Sequence, residues 1–327
     1  MPSSPIHPSP TLLADIGGTN ARFAILAGGR ITLLAPVATA AHPTLEAALR
    51  TALAGHAGPP PTRALLAVAG PVDGDRMQLT NAGWEVDGPR LRDAFGLGSV
   101  RLVNDFAAVA WSMPGLEGDD LIELAGAAAD PLAPVVTLGP GTGLGVAAYL
   151  PGPPAQVVAG EGGHATLAAA DEAEAAVIGW LRARFGHVSA ERALSGPGLV
   201  NLYQAIAERD GIAVGERTPG AVTRAALDRT CPVAEAALAM FCAMLGGFAG
   251  NLALTFRSSG GVRVAGGIAP RIAPFLAASA FRERFVAKGR FRPWLERVPV
   301  AIVRHPAAAL VGLAALAGED ADIAGAD

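Results

Sequence analysis

Twice in this 327-residue chain an apolar run breaks at a Gly-Thr turn and resumes as a second apolar run, at residues 11–26 (TLLADIGGTNARFAIL) and 135–150 (VVTLGPGTGLGVAAYL). The flanks read as strand, turn, strand. Glycine leaves backbone N–H groups unshielded, so both turns are built to hold phosphate. The residues concerned are Gly17, Gly18, Thr19 and Asn20 in one copy and Gly139, Gly141, Thr142, Gly143 and Gly145 in the other. Neither copy has the Lys-Ser/Thr of a P-loop or a dinucleotide fingerprint opening a helix. One such hairpin in each half predicts two similar lobes gripping a nucleotide.

The length suits two domains, and a hydrophobic content of 51% supports full-sized cores. With 25 basic against 29 acidic residues, net charge -4, no global field draws the chain to nucleic acid or an anionic membrane, and a small diffusible partner is favoured. Cys231 and Cys242 have neither metal-ligand spacing nor a disulfide framework, which fits packing residues in a reducing cytoplasm. MPSSPIHPSP lacks the basic and apolar segments of a secretory signal, and residues 1–10 are expected to form a disordered leader. Residues 131–160 are uncharged but carry six prolines and six glycines, unsuited to lipid. The run at 236–256 is interrupted by Gly246, Gly247, Gly250 and Asn251 and reads as a buried helix packed closely on another element.

Strand pattern fills 11–37, a helix follows at 44–54, and 64–72 is a buried strand. Residues 101–113 read as strand, polar turn at Asn104-Asp105, then helix. The first lobe is expected to end near 115, a linker to run to about 130, and the second lobe to open at 135. Helices are expected at 171–185, 197–209, 219–229 and 233–256, over 262–272 a strand ending in the Gly266-Gly267 turn with a helix from about 271, and a strand plus a helix over 298–318. The last helix is placed on the first lobe. The domains predicted are a small α/β one (11–115 plus 303–322) and a large α/β one (116–302).

Asp15, two residues before Gly17, would repel a phosphate unless Mg²⁺ and its waters lay between them. That cation binds through one or two carboxylates plus phosphate oxygens. The plainer alternative is a turn aspartate bonding its own backbone. Leu138 occupies the equivalent place in the second copy, so only one lobe organises metal. Asp105 closes a buried strand just before a helix, where ligands meet the rim of a sheet; here the alternative is a helix N-cap. Glu161 and His164 flank Gly162-Gly163, and Glu191 precedes a further glycine turn. Such groups suit a polyhydroxylated ligand, whose hydroxyls carboxylates accept and imidazole can donate to or accept from.

Together, DIGGTNARFAI, LVNDFAAVA, GPGTGLGVA, GEGGH, HVSAERALSGPGLVNLY and VAGGIAPR resemble the bacterial glucokinase family, the ATP-dependent hexokinase type of the actin-like (ribonuclease H-like) ATPase superfamily. The resemblance spans nearly the whole chain. It implies an α/β fold of two ribonuclease H-like domains with mixed sheets flanked by helices, each a βββαβαβα core, and an active-site cleft between them. It also implies phosphoryl transfer from ATP, with Mg²⁺, to the 6-hydroxyl of glucose, the first step of glycolysis. Asp105 matches the general base; Asn104, Glu161, His164 and Glu191 match sugar-binding positions, and Gly266 and Gly267 the adenosine side. The related ROK kinases carry a cysteine-rich zinc motif after the corresponding histidine. Here no cysteine follows His164 until Cys231, so no structural zinc is expected. Pro140 stands where a small residue such as alanine is expected, which touches turn geometry more than function. A homodimer is expected from the resemblance and from the apolar helix at 233–256. A sugar-sensing repressor on the same fold would need a DNA-binding module, and a polymerising ATPase would lack Glu161, His164 and Glu191.

Overall fold

The first hairpin forms as the sequence predicts: β1 (Thr11–Ile16) pairs antiparallel with β2 (Asn20–Ala27), placing Asp15 opposite Arg22. β3 (Arg30–Leu33) and β4 (Val37–Ala38) extend β2, and α1 (Leu45–Leu53) follows, capped by Thr44, whose Oγ1 accepts the Ala47 N–H at 3.2 Å. β5 (Arg63–Val68) lies parallel to β1. A small hairpin, β6 (Arg76–Gln78) and β7 (Glu85–Asp87), leads to α2 (Gly88–Phe95), then β8 (Ser99–Asn104), parallel to β5, and α3 (Asp105–Trp111). The sheet order is β3-β2-β1-β5-β8, with β4 on β2. β1 and β5 are buried along nearly their whole length, as strands covered on both faces must be. This computed structural model describes residues 9–18, 20–70, 72–79 and 83–324. Most of the expected leader, residues 1–8, and Thr19 lie outside them. Pro10 is tied down, its carbonyl accepting the Thr62 N–H at 2.9 Å.

The expected linker is partly wrong. β9 (Leu121–Ala125) is a strand on the edge of the second sheet, held antiparallel by a partner far along the chain. β10 (Val135–Pro140) and β11 (Leu144–Leu150) form the second hairpin, and β12 (Gln156–Gly160) extends it. Four helices follow close to the expected places: α4 (Glu172–Phe185), α5 (Gly196–Arg209), α6 (Pro219–Leu227) and α7 (Pro232–Phe256). β13 (Gly261–Val264), α8 (Ala273–Ala278), α9 (Phe281–Val286), α10 (Arg292–Leu295) and β14 (Val300–Val303) complete the unit. The sheet order is β12-β11-β10-β13-β14-β9. α7 is long and apolar enough to cross a membrane by length and composition, but most of its apolar residues are buried in this unit's core and it packs on α5, α6 and α9. Gly246 and Gly250, one turn apart, permit this: a Cβ at either would stand 2.1 or 2.4 Å from the Phe281 or Phe285 carbonyl oxygen of α9.

α11 (Ala308–Ala324) returns to the first sheet, where it packs on α3, β1 and β5. The chain thus divides into two compact units, Met1–Leu116 with Pro306–Asp327, and Glu117–His305. The return begins three residues later than the expected 303, because Val303 still pairs with Leu121 in the second sheet.

Candidate active site

In the first unit the candidate residues collect at the carboxyl ends of β1 and β8, on either side of β5. The first turn is closed by the Gly17 N–H donating to the Asn20 carbonyl at 3.1 Å, while Thr39 Oγ1 donates to the Gly17 carbonyl at 3.3 Å. Gly18 and Asn20 are exposed beside it. The Asp15 side chain is largely buried and takes a hydrogen-bonded ion pair from Arg22 Nη1 at 3.1 Å, with Arg22 half exposed. Desolvation raises the Asp15 carboxyl above its usual range, and Arg22 opposes that rise by charge and hydrogen bond. The motif reading missed Arg22. The signal was there: two strands around a three-residue turn bring residues 15 and 22 face to face.

At the end of β8 the two alternatives separate between neighbours. Asn104 is the helix cap: its Oδ1 accepts the Ala107 N–H at 3.0 Å, and its Nδ2 donates to the Gly70 carbonyl at 3.0 Å. Asp105 is the first residue of α3, with Oδ1 accepting the Phe106 N–H at 2.9 Å. Capping therefore accounts for Asn104 and not for Asp105. Asn104 keeps one N–H to offer a ligand.

In the second unit the other candidates converge on the turn after β10. Gly141 N–H donates to the Gly143 carbonyl and Gly196 N–H to the Gly141 carbonyl, both at 2.8 Å. Glu191 Oε2 accepts the Leu144 N–H at 2.9 Å, and a Cβ on Gly143 would lie 2.5 Å from that oxygen. The Glu161–His164 segment folds as a tight turn onto the start of β11, where a Cβ on Gly163 would meet the Leu144 carbonyl at 2.0 Å. Both side chains are exposed, Glu161 Oε2 and His164 Nε2 lying 4.0 Å apart. Gly266, at φ +81°, runs against the Pro140 carbonyl, while Gly267 has open space around it. Pro140 sits as the last residue of β10, opposite Leu144, so the turn accommodates it. Thr142 is exposed at the tip. Sequence reasoning did not single out Ser195, whose Oγ donates to the Glu191 carbonyl at 2.8 Å and accepts the Gly198 N–H at 3.0 Å, fixing the segment that carries Glu191.

Among the described residues no three His, Cys, Asp or Glu side chains gather to cage a metal. A single buried carboxylate beside a glycine turn is a donor set that fits Mg²⁺, which takes most of its ligands from water and phosphate. Both cysteines are free, and burial pushes the Cys242 thiol up to about 12, the behaviour of a packing residue.

The glucokinase family model matches residues 12–320. A glucokinase of Paramagnetospirillum magneticum is 46% identical over 309 residues, covering 93% of this chain and 96% of the relative. One from Cronobacter sakazakii is 41% identical over 307 residues, covering 93% and 95%. The solved glucokinase of an Antarctic psychrotroph superposes with a TM-score of 0.85 at 36% identity, covering 94% of this chain and 98% of that one.

Proposed function

Because the chain belongs to the glucokinase family, and is an ATP-dependent glucokinase on that ground, we propose that it transfers the γ-phosphoryl group of ATP to the 6-hydroxyl of glucose with Asp105 as general base. The observation that carries the catalytic assignment is the division of labour at 104–105. Asn104 already caps α3, so the cap does not require the neighbouring carboxylate, which the Phe106 N–H holds at the sheet rim in reach of an acceptor hydroxyl. As the sugar oxygen bonds to the γ-phosphorus, its proton passes to Asp105, and the bond from that phosphorus to the bridging oxygen breaks, leaving ADP with the electron pair. Catalysis of this kind is positioning plus electrostatics.

Glu161 and Glu191 accept sugar hydroxyls, His164 donates or accepts, and the spare Asn104 N–H donates. The remaining backbone amides of the turns at 17–20 and 141–143, Gly17 and Gly141 using theirs to close the turns, receive phosphate, and the open side of Gly267 admits the adenosine. Mg²⁺, held through water by Asp15, would neutralise charge on the transferring phosphoryl group. The setting we assign is the cytoplasm, at the head of glycolysis. The homodimer rests on resemblance, since α7 buries most of its apolar residues within its own unit.

Asp105→Asn keeps the size of the side chain and removes the base. Turnover is expected to fall by about 10²- to 10⁴-fold, with glucose affinity changed far less. Turnover within about threefold of the parent would reject Asp105 as the base and direct the search to Glu161 or Glu191.

A further inference from the structure

We infer that Glu191 couples the sugar site to the second phosphate turn, so that glucose and nucleotide bind cooperatively through one carboxylate. This rests on the reading above that Glu191 accepts a sugar hydroxyl, and it adds a second role for the same side chain. Oε2 is engaged by the N–H of Leu144, the residue directly after the Gly141-Thr142-Gly143 turn. Gly143 presses on that oxygen so closely that no larger residue fits without moving the carboxylate. The backbone of Glu191 is itself fixed, its carbonyl accepting from Ser195 Oγ at 2.8 Å, so the freedom left lies in the side-chain torsions.

The carboxylate is partly exposed, and its Oε1 has no partner among the described residues. A hydroxyl donated to Oε1 would restrict those torsions, and with them the direction of the Leu144 amide and the position of Gly143. An ordered turn has already met part of the entropy cost that phosphate binding would otherwise impose. Linkage makes the effect reciprocal: the factor by which glucose tightens nucleotide is the factor by which nucleotide tightens glucose, typically about 5- to 150-fold.

The test combines hydrogen exchange of the peptide spanning 139–146 with calorimetry of a non-hydrolysable ATP analogue plus Mg²⁺, each with and without saturating glucose. In the parent, glucose alone should slow exchange in that peptide and tighten the analogue at least about fivefold. Gly143→Ala retains every sugar-binding side chain but displaces the carboxylate, and Glu191→Ala removes it. Both should bind glucose by calorimetry, more weakly for Glu191→Ala, with the exchange effect lost and the coupling reduced to within about twofold of unity. Glu191→Gln keeps an oxygen to accept the Leu144 N–H but replaces Oε1 with an amide NH2 that cannot accept the hydroxyl, so it should bind glucose more weakly and lose the coupling while the turn keeps its hydrogen bond. A parent that binds glucose without either response overturns the inference while leaving the sugar reading intact. So does glucose-dependent slowing that persists in Glu191→Ala, which would trace the protection to occlusion. A parent that binds no glucose overturns both.

Discussion

Asp15 shows what burying a carboxylate does to stability. Burial raises its folded-state pKa above the unfolded value, so ionising it costs stability; the stability it contributes is fully present below the unfolded pKa and is lost as pH rises through the folded one. Asp15→Asn is therefore expected to raise the thermal midpoint at pH 8 relative to the parent, with the difference shrinking toward pH 4. Half-exposed Arg22 loses its partner to water at little cost. Activity should move the other way, because an amide cannot hold the hydrated cation, and in the parent the acid limb of kcat/KM should lie above the ordinary carboxylate range. Equal or lower thermal midpoints for the variant at pH 8 would show that the Arg22 pair outweighs desolvation. Asp15 was legible because its chemistry follows from the adjacent turn; Arg22 was not, because its meaning depends on register, which a motif does not carry. At Asn104-Asp105 the sequence offered capping and catalysis to the same pair, and only hydrogen-bond geometry shows that Asn104 is the cap.

Among the elements, strands with a continuous apolar run and helices with clear caps were read close to their places. β9 was not, because LIELA is short and partly exposed and pairs only with β14, about 180 residues later, so local pattern could not announce it. The helix contacts were hidden for a similar reason: glycine marks a close approach without naming the partner. Gly312 in α11 is the sharpest case, since a Cβ there would fall 1.7 Å from the Ala108 carbonyl oxygen of α3. Gly312→Ala must push α3 away, and α3 begins with Asp105. Overpacking of this sort typically costs about 1–3 kcal/mol, so the denaturation midpoint should drop. The kcat should fall as well, although residue 312 belongs to neither candidate site cluster. Unchanged kcat with lowered stability would show that the first turn of α3 is anchored independently of its packing on α11.

At the scale of the molecule, both units use one plan. β1, β2, β3, α1, β5, β8 and β10, β11, β12, α7, β13, β14 follow the same course, and both sheets run third, second, first, fourth, fifth strand. Only the hairpins betray the repeat in sequence, because β6 and β7 are inserted in one copy and α4 to α6 in the other, and the cores are free to differ wherever volume is conserved. The glycine turns persist in pattern because glycine is needed wherever backbone amides must be reached. The account as a whole stands on one reaction. Purified protein given glucose, ATP and Mg²⁺ should release glucose 6-phosphate and ADP in equal amounts, with ADP formation dependent on the sugar. Absence of glucose 6-phosphate above background, or ADP released at the same rate without glucose, would contradict it.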